Sequence, residues 1–489
     1  MNAVRRSTNP PSPRPGERVG VRGSLRALCA LLATTLLLSA CTLGPNFKLP
    51  FFDFPKKFSE PEVATGQPLV VPANWWRLYG DAELDRLVSV GLARNADVRL
   101  AVARIEEAEA FMREAAAASL FPEITGNADA SRARSSTRTG TLPASAAPLR
   151  NNFELAASTS FELDFWGRLR RIREAARAQY VATRYSHDVV ALTLAAGIAQ
   201  AYFNVRSLDA QIVVSQETLT AAESSLDIAT KRAQAGYVSD LDMNQADANR
   251  SQVAAQLKDL RRLRAAAVHQ LGVLVGELDL DVKPGDIRQL PSPPLPPAGL
   301  PATLLERRPD IREAAATYEA ANAQIGAARA AQFPTFSLTG ALGVQSRELS
   351  TLFSSGAGIW SIGLGVVGPI FDSGRYAART EQAEARAQQS AISYEKTAQT
   401  AFREVADALS NVRLAADAEA DLTHRVEQAR NALRLSTLRY DSGYSAYLEV
   451  LDAQRTLNDA QLAHARNRQQ YLGFTVDLMN ALGGGWSPY

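Results

Sequence analysis

Two runs of 68 residues, 168–235 and 375–442, contain no proline and are rich in Ala, Arg, Gln, Glu and Leu. Each predicts one continuous helix of ~100 Å, at ~1.5 Å per residue. A helix that long cannot be buried in a single globular core, so it belongs to a coiled coil or a helical tube. The apolar period agrees. Ile198, Val205, Ile212, Leu219 and Leu226 recur every seven residues, and Ala201, Leu208, Ser215, Ala222 and Ala229 follow them three positions on. This is a seam with one bulky edge and one mostly small edge, which lets neighbouring helices approach closely. An ordinary bundle core would explain the period but not the length.

The two runs are copies of one unit. Gly167-Arg168, Asn204-Val205-Arg206 and Gly236-Tyr237 recur 207 residues later as Gly374-Arg375, Asn411-Val412-Arg413 and Gly443-Tyr444. Phe121-Pro122 recurs 212 residues later as Phe333-Pro334, so one loop differs in length. The second seam reads Val405, Val412, Val426 and Leu433, with Glu419 as the exception. The repeats span 84–276 and 302–482, joined by a Pro-rich linker at 277–301 that cannot continue a helix. Each reads as a helix, two strands, the long helix, a turn and a shorter helix.

The strands alternate apolar and polar residues. Phe153, Leu155, Ala157, Phe161 and Leu163 alternate with Glu154, Ala156, Ser158, Ser160 and Glu162, and the pattern runs on to Asp164 and Phe165. Phe336, Leu338, Leu342 and Val344 form a second such series, and Trp360, Ile362, Leu364 and Val366 another. This is the pattern of an outer-membrane strand, although a soluble sandwich strand alternates too. Four strands are expected, at about 121–135, 151–166, 333–346 and 357–371. Four cannot close a barrel, and an open edge is not tolerated in lipid. A barrel therefore has to be shared, and three chains would supply twelve strands. The acids Glu154, Glu162 and Asp164 fall on the polar, lumen-facing side, where they would keep the lumen wet.

Residues 1–40 carry six arginines against one acid, so removing them turns the formal charge from +2 to −3. A mature chain of that charge gives no reason to expect nucleic-acid binding. The apolar run Leu25–Leu38 is short for a membrane span and ends in small residues, as a signal peptide does. Leu38-Ser39-Ala40-Cys41 looks like a lipobox, in which Cys41 receives diacylglycerol and its new amine is acylated. A plain secretory cleavage site with a chance cysteine is the alternative. On this reading 41–83 is a lipidated N-terminal segment, sorted to the outer membrane, and 483–489 is a C-terminal tail. Cys29 leaves with the signal, so the mature chain can form no internal disulfide.

Several blocks resemble one family. Cys41-Thr42-Leu43-Gly44-Pro45-Asn46-Phe47, Trp75-Trp76-Arg77-Leu78-Tyr79-Gly80-Asp81 and Leu304-Leu305-Glu306-Arg307-Arg308-Pro309-Asp310-Ile311-Arg312 are similar to TolC-like outer-membrane efflux proteins, specifically the NodT-like lipoprotein branch. The resemblance implies a mixed α and β trimeric duct. Four strands per protomer would enter a shared 12-stranded outer-membrane barrel, continued by a long α-helical coiled-coil barrel in the periplasm. It implies a homotrimer contacting outer-membrane lipid, a periplasmic adaptor and an inner-membrane resistance–nodulation–division pump. It also implies a periplasmic gate at the turns, with Glu449 and Asp452 as ring acids and Tyr440 tied to Asp242. Solvated helix acids and simple seam packing of Tyr440 are the plainer readings. The family's best-studied branch has an arginine two residues after the tip glycine. Here Ser445 stands at that position, so its locking salt bridge is not expected.

No phosphate-binding loop, nucleophile elbow or zinc-protease motif is present, and the four histidines lack ligand spacing. No enzyme, metal or cofactor is expected beyond the lipid on Cys41. A trimeric coiled-coil structural or adhesin lipoprotein would explain the heptads but not the repeat with its strand pairs. Residues 9–20 add nothing that a signal peptide needs, so translation is expected to start near Val19 or Val21. Deleting the first 18 codons should leave export and abundance unchanged in immunoblots of the outer membrane; lost export would overturn this reading.

Overall fold

The structure, a computed structural model, describes residues 42–50, 71–136, 138, 147–294 and 307–485. Residues 1–41, including the expected signal peptide and Cys41, lie outside the described residues, as do 295–301 of the linker, Leu304–Glu306 and residues 486–489. A 3₁₀ turn at Trp75–Tyr79 precedes helices α1 (Ala82–Arg94) and α2 (Ala96–Leu120). Strands β1 (Glu123–Arg134) and β2 (Leu149–Leu163) lead to α3 (Arg168–Gln234) and α4 (Asp240–Val275). The order then repeats as α5 (Pro309–Ala330), β3 (Thr335–Ser346), β4 (Gly358–Val367), α6 (Arg375–Asp441) and α7 (Tyr447–Ala481).

The repeat survives folding to the residue. Both ends of α6 lie 207 positions after those of α3, and both ends of β3 lie 212 after those of β1. Gly167, Gly236 and Gly276 have left-handed φ of 79°, 74° and 77°; their counterparts Gly374, Gly443 and Gly483 have 81°, 77° and 88°. These positions open the long helices and end the long and short ones, where a residue without Cβ reverses the chain without strain.

The described residues form two compact units. The first takes those within Met1–Phe47, Glu114–Ala175 and Asn322–Glu384 and contains the sheet. Its strands run in the order β1-β2-β3-β4, all antiparallel.

The second unit takes Lys48–Arg113, Ala176–Ala321 and Ala385–Tyr489 and is helical. None of the fifteen seam positions named above is exposed, and Ile198, Val205 and Val405 are fully buried. Each such side chain removed from water contributes ~1.5–3 kcal/mol. Helix α3 is the one described helix apolar enough by composition to cross a membrane, yet half of that apolar window is buried within the protein. It is a core helix here. The N-terminal segment locks onto it: Asp81 caps α1, accepting from Glu83 and Leu84 N–H, and also accepts the Tyr202 hydroxyl at 2.5 Å. Arg206 donates to that hydroxyl and to Lys283 O, while Arg264 joins Asp209 to Val282 O.

The seam's exception is satisfied by its neighbours. Glu419 accepts from Asn467 Nδ2 at 2.7 Å and lies 3.1 Å from His464 Nε2. The same places in the first copy hold Ile212, Leu257 and Leu260. Burial alone would raise the Glu419 pKa. The hydrogen bonds from His464 and Asn467, with the charges of His464 and Arg468, outweigh it and hold the carboxyl below its ordinary range. Its contribution to stability is therefore present above the ordinary value of 4.5 and is lost as pH falls through the lower folded value. Glu419→Ile should cost ~1–3 kcal/mol by stranding its partners, and adding His464→Leu and Asn467→Leu should recover most of it. Thermal unfolding of the purified variants checks this, and the cost of the single substitution should fade on acidification.

Candidate functional site

The sheet separates two chemistries. Opposed residues on paired strands share a face. Register puts Gly126, Ala157, Leu342 and Trp360 in one row, and Ile124, Thr159, Gly340 and Ile362 in the next. Phe161, Leu338 and Leu364 follow, then Leu163, Phe336 and Val366. The opposite face carries Thr125, Ser158, Ala341 and Ser361, then Glu123, Ser160, Thr339 and Gly363. The three apolar series expected from sequence thus fall on a single face. Leu342, Ile362 and Trp360 on it are 69%, 73% and 77% exposed. An apolar face so open to solvent has no protein layer over it among the described residues, and it matches what a lipid-facing band requires. The outer edges of β1 and β4 pair with no described strand.

The three expected lumen acids have different surroundings. Glu154 stays on the polar face and accepts from Gln345 at 3.2 Å. Glu162 is held by the Arg168 guanidinium through bonds of 3.0 and 2.6 Å. Asp164 is not in a strand. β2 ends at Leu163, and Asp164 accepts from the Leu169 and Arg170 N–H groups opening α3. A carboxylate suits that helix start because its first N–H groups have no intrahelical partner.

The helix turns are the second candidate site. Both close in the same way. Tyr237 N–H donates to Arg232 O and Gly236 N–H to Ala233 O; Tyr444 N–H donates to Arg439 O and Gly443 N–H to Tyr440 O. Ala229, Ala246, Val450 and Leu451 pack with Tyr447 and Tyr440 into a small apolar cluster that joins the ends of both hairpins. The Tyr440 and Tyr447 rings lie 5.5 Å apart. Tyr237 and Tyr444 remain largely exposed.

The gate residues expected from the resemblance are only partly brought together. Tyr440 and Asp242 both lie near Tyr447, whose hydroxyl pKa is raised first by burial and then by these two neighbours. No hydrogen bond joins Tyr440 to Asp242: the Tyr440 hydroxyl is buried without a partner, as is the Ser445 hydroxyl. Glu449 accepts from Arg439 Nε at 3.3 Å, and Asp452 is exposed on the next turn of α7. The residue that sequence reasoning missed is Arg232. Its guanidinium sits 4.8 Å over the Tyr440 ring and pairs with Asp441 at 3.2 Å. The repeat carried the signal, since Arg232 and Arg439 occupy equivalent places in the last turns of α3 and α6, where a cation complements the helix dipole.

The model of a family described as outer membrane efflux protein matches residues 87–277 and 300–484. The chain is 34% identical over 473 residues to the cation efflux system protein CusC of Escherichia coli O6:H1, covering 94% of this chain and 99% of that one. It is 34% identical over 469 residues to the toluene efflux pump outer membrane protein TtgI of Pseudomonas putida, covering 92% and 97%. The crystal structure of the Campylobacter jejuni CmeC outer membrane channel superposes with a TM-score of 0.85 at 26% identity, over 91% of this chain and 95% of that one.

Because the Tyr440 hydroxyl has no partner, Tyr440→Phe should leave the thermal midpoint unchanged or raise stability by up to ~1 kcal/mol. A loss of ~1–3 kcal/mol would mean that assembly gives this hydroxyl a partner after all.

Proposed function

The chain belongs to the outer membrane efflux protein family, and on that premise we propose that it is the outer-membrane channel subunit of a tripartite efflux system. It passively conducts substrates from a periplasmic adaptor and an inner-membrane resistance–nodulation–division pump to the outside. One observation carries the reading: a four-stranded sheet with an exposed apolar face and two unpaired edges, built on the same chain as two helices of 67 residues each. A sheet of this kind is stable in lipid only if its edges find strands elsewhere. Three copies supply twelve strands and a lumen wide enough for water. The polar face, including Glu154, then lines the lumen. A coiled-coil fibre would leave the amphipathic sheet without a role.

In this assembly the turns form the periplasmic end, where Glu449 and Asp452 from three protomers converge. Like charges gathered around an axis repel and attract cations, which favours a wider aperture unless they are neutralised. Arg439 neutralises part of that charge within each protomer. Arg232, stacked on Tyr440, does the holding that the expected Tyr440–Asp242 tie would have done. After removal of residues 1–40 the chain is anchored through acyl chains on Cys41. Relatives named for cations and for toluene match at the same 34% identity. Likeness therefore does not select a cargo, as expected of a duct whose pump does the choosing.

Reconstitution tests the reading directly. The purified protein in planar bilayers should give step currents, and their absence would sink the channel assignment. Leu342→Arg should lower the yield of folded outer-membrane protein, because an arginine in the lipid-facing band costs ~2–4 kcal/mol. Ala341→Arg, one residue away on the opposite face, should be tolerated.

A further inference from the structure

Arg171, near the start of α3, is a cation only 3% exposed. Its Nε donates to Leu43 O at 3.2 Å, and its Nη2 to Gly44 O at 3.4 Å and Asn46 Oδ1 at 3.1 Å. Nη1 pairs with Glu174 at 2.8 Å. The segment Thr42–Asn46 is held by the backbone as well: Leu43 N–H donates to Trp166 O at 3.1 Å, and Asn322 Nδ2 donates to Pro45 O at 3.2 Å.

The groove under this segment depends on glycine. A Cβ on Gly326 would lie 2.6 Å from Leu43 O and 2.8 Å from the Arg171 side chain. A Cβ on Gly167 would lie 2.8 Å from Thr42 Cγ2, and one on Gly44 (φ +97°) would lie 2.5 Å from Gly326 Cα. The internal repeat supplies a built-in comparison. The places equivalent to Arg171, Asn322 and Gly326 hold Ala378, Ala110 and Glu114. The groove thus takes its buried cation from the first copy and its amide and glycine wall from the second, and the equivalent combination of Ala378 with Ala110 and Glu114 has none of the three.

We propose that Arg171 and its glycine-walled groove are the receptor for the mature N-terminal segment Thr42–Asn46, and that this docking positions the anchor against the β2–α3 junction. A buried guanidinium with three outward acceptors has a steep cost if the segment leaves, because its donors are then stranded away from water. The recognised chemistry is a short peptide bent at Gly44 that offers two carbonyls and the Asn46 amide oxygen, so the segment is read mainly by its backbone. The next residue toward the N-terminus is Cys41. The second half of the proposal rests on the lipid-anchor reading above, whereas the docking itself does not. Arg171 is a positioning residue: it acts on the anchor through the segment.

The test is hydrogen exchange at the Leu43 amide in the full-length, detergent-purified protein, alongside the mass of its N-terminal peptide. In the wild type this amide should be protected. Arg171→Met should speed its exchange about tenfold or more, while Arg171→Lys, which keeps the charge but cannot span three acceptors, should give an intermediate rate. Gly44→Val and Asn46→Ala alter only the segment and should speed exchange without lowering the thermal midpoint of the body, which covers the case in which Arg171→Met fails to fold. Cys41→Ser should leave Leu43 protected. Unchanged exchange in Arg171→Met and Gly44→Val would overturn the receptor, as would loss of protection in Cys41→Ser, which would make the lipid the tether. An unacylated N-terminal peptide in the wild type would overturn the anchor reading while leaving the docking result intact.

Discussion

The backbone groups along the outer edges of β1 and β4, which pair with no described strand, set the terms for the rest of the molecule. In water an open edge is an aggregation hazard; in hydrocarbon each unsatisfied N–H or C=O costs several kcal/mol. The sheet nevertheless exposes Trp360, Ile362 and Leu342 on one face, so it is suited to lipid and cannot stand there alone. Closure by neighbouring copies is the proposed answer to the constraint. It also accounts for the polar face, which would otherwise be wasted on a surface already open to solvent.

The helices meet a related constraint with different means. A helix of 67 residues satisfies its own backbone but has too much length for one core, so it needs neighbours along its whole run. The seam provides them, with small residues such as Ala222 and Ala229 opposite bulky ones. Left-handed glycines at matching positions in both copies turn the chain back wherever a neighbour has to begin. Duplication therefore explains the geometry, and specialisation lies where the copies disagree. Glu419, His464 and Asn467 form a polar layer where the first copy is aliphatic. The Arg171 groove joins residues of both copies, and the equivalent residues Ala378, Ala110 and Glu114 cannot form it. Ser239 caps α4 with its side chain, whereas Ala446 at the equivalent place cannot cap α7.

The turns show how substitution relocates an interaction. Ser445 stands where the family's best-studied branch has an arginine, and Tyr440 does not reach Asp242 by hydrogen bond. A cation over the Tyr440 ring, itself paired with Asp441, holds the same aromatic side chain from the other direction. Both ion pairs at the turns are exposed, so each contributes ~0–1 kcal/mol to stability.

The sequence by itself determined the elements and their order. Helix length, seam, strand alternation and the chain reversals at Gly236 and Gly443 all follow from local rules of period and backbone freedom, which act within a few residues. The long helices accordingly end within one residue of expectation, and the strand faces fall where alternation put them. Only the tertiary structure decided which polar groups are free and which are occupied. The partners of Glu162 and Asp164, the Arg168 guanidinium and the first N–H groups of α3, appeared only when the chain folded. Glu419 looked like a flaw until His464 and Asn467 arrived from 45 and 48 residues away. Arg171 gave no signal of its role, because its acceptors on the N-terminal segment lie more than a hundred residues off along the chain. Periodicity records which side of an element is buried; it does not record which distant side chain shares the space, and that pairing is fixed only when the chain closes on itself.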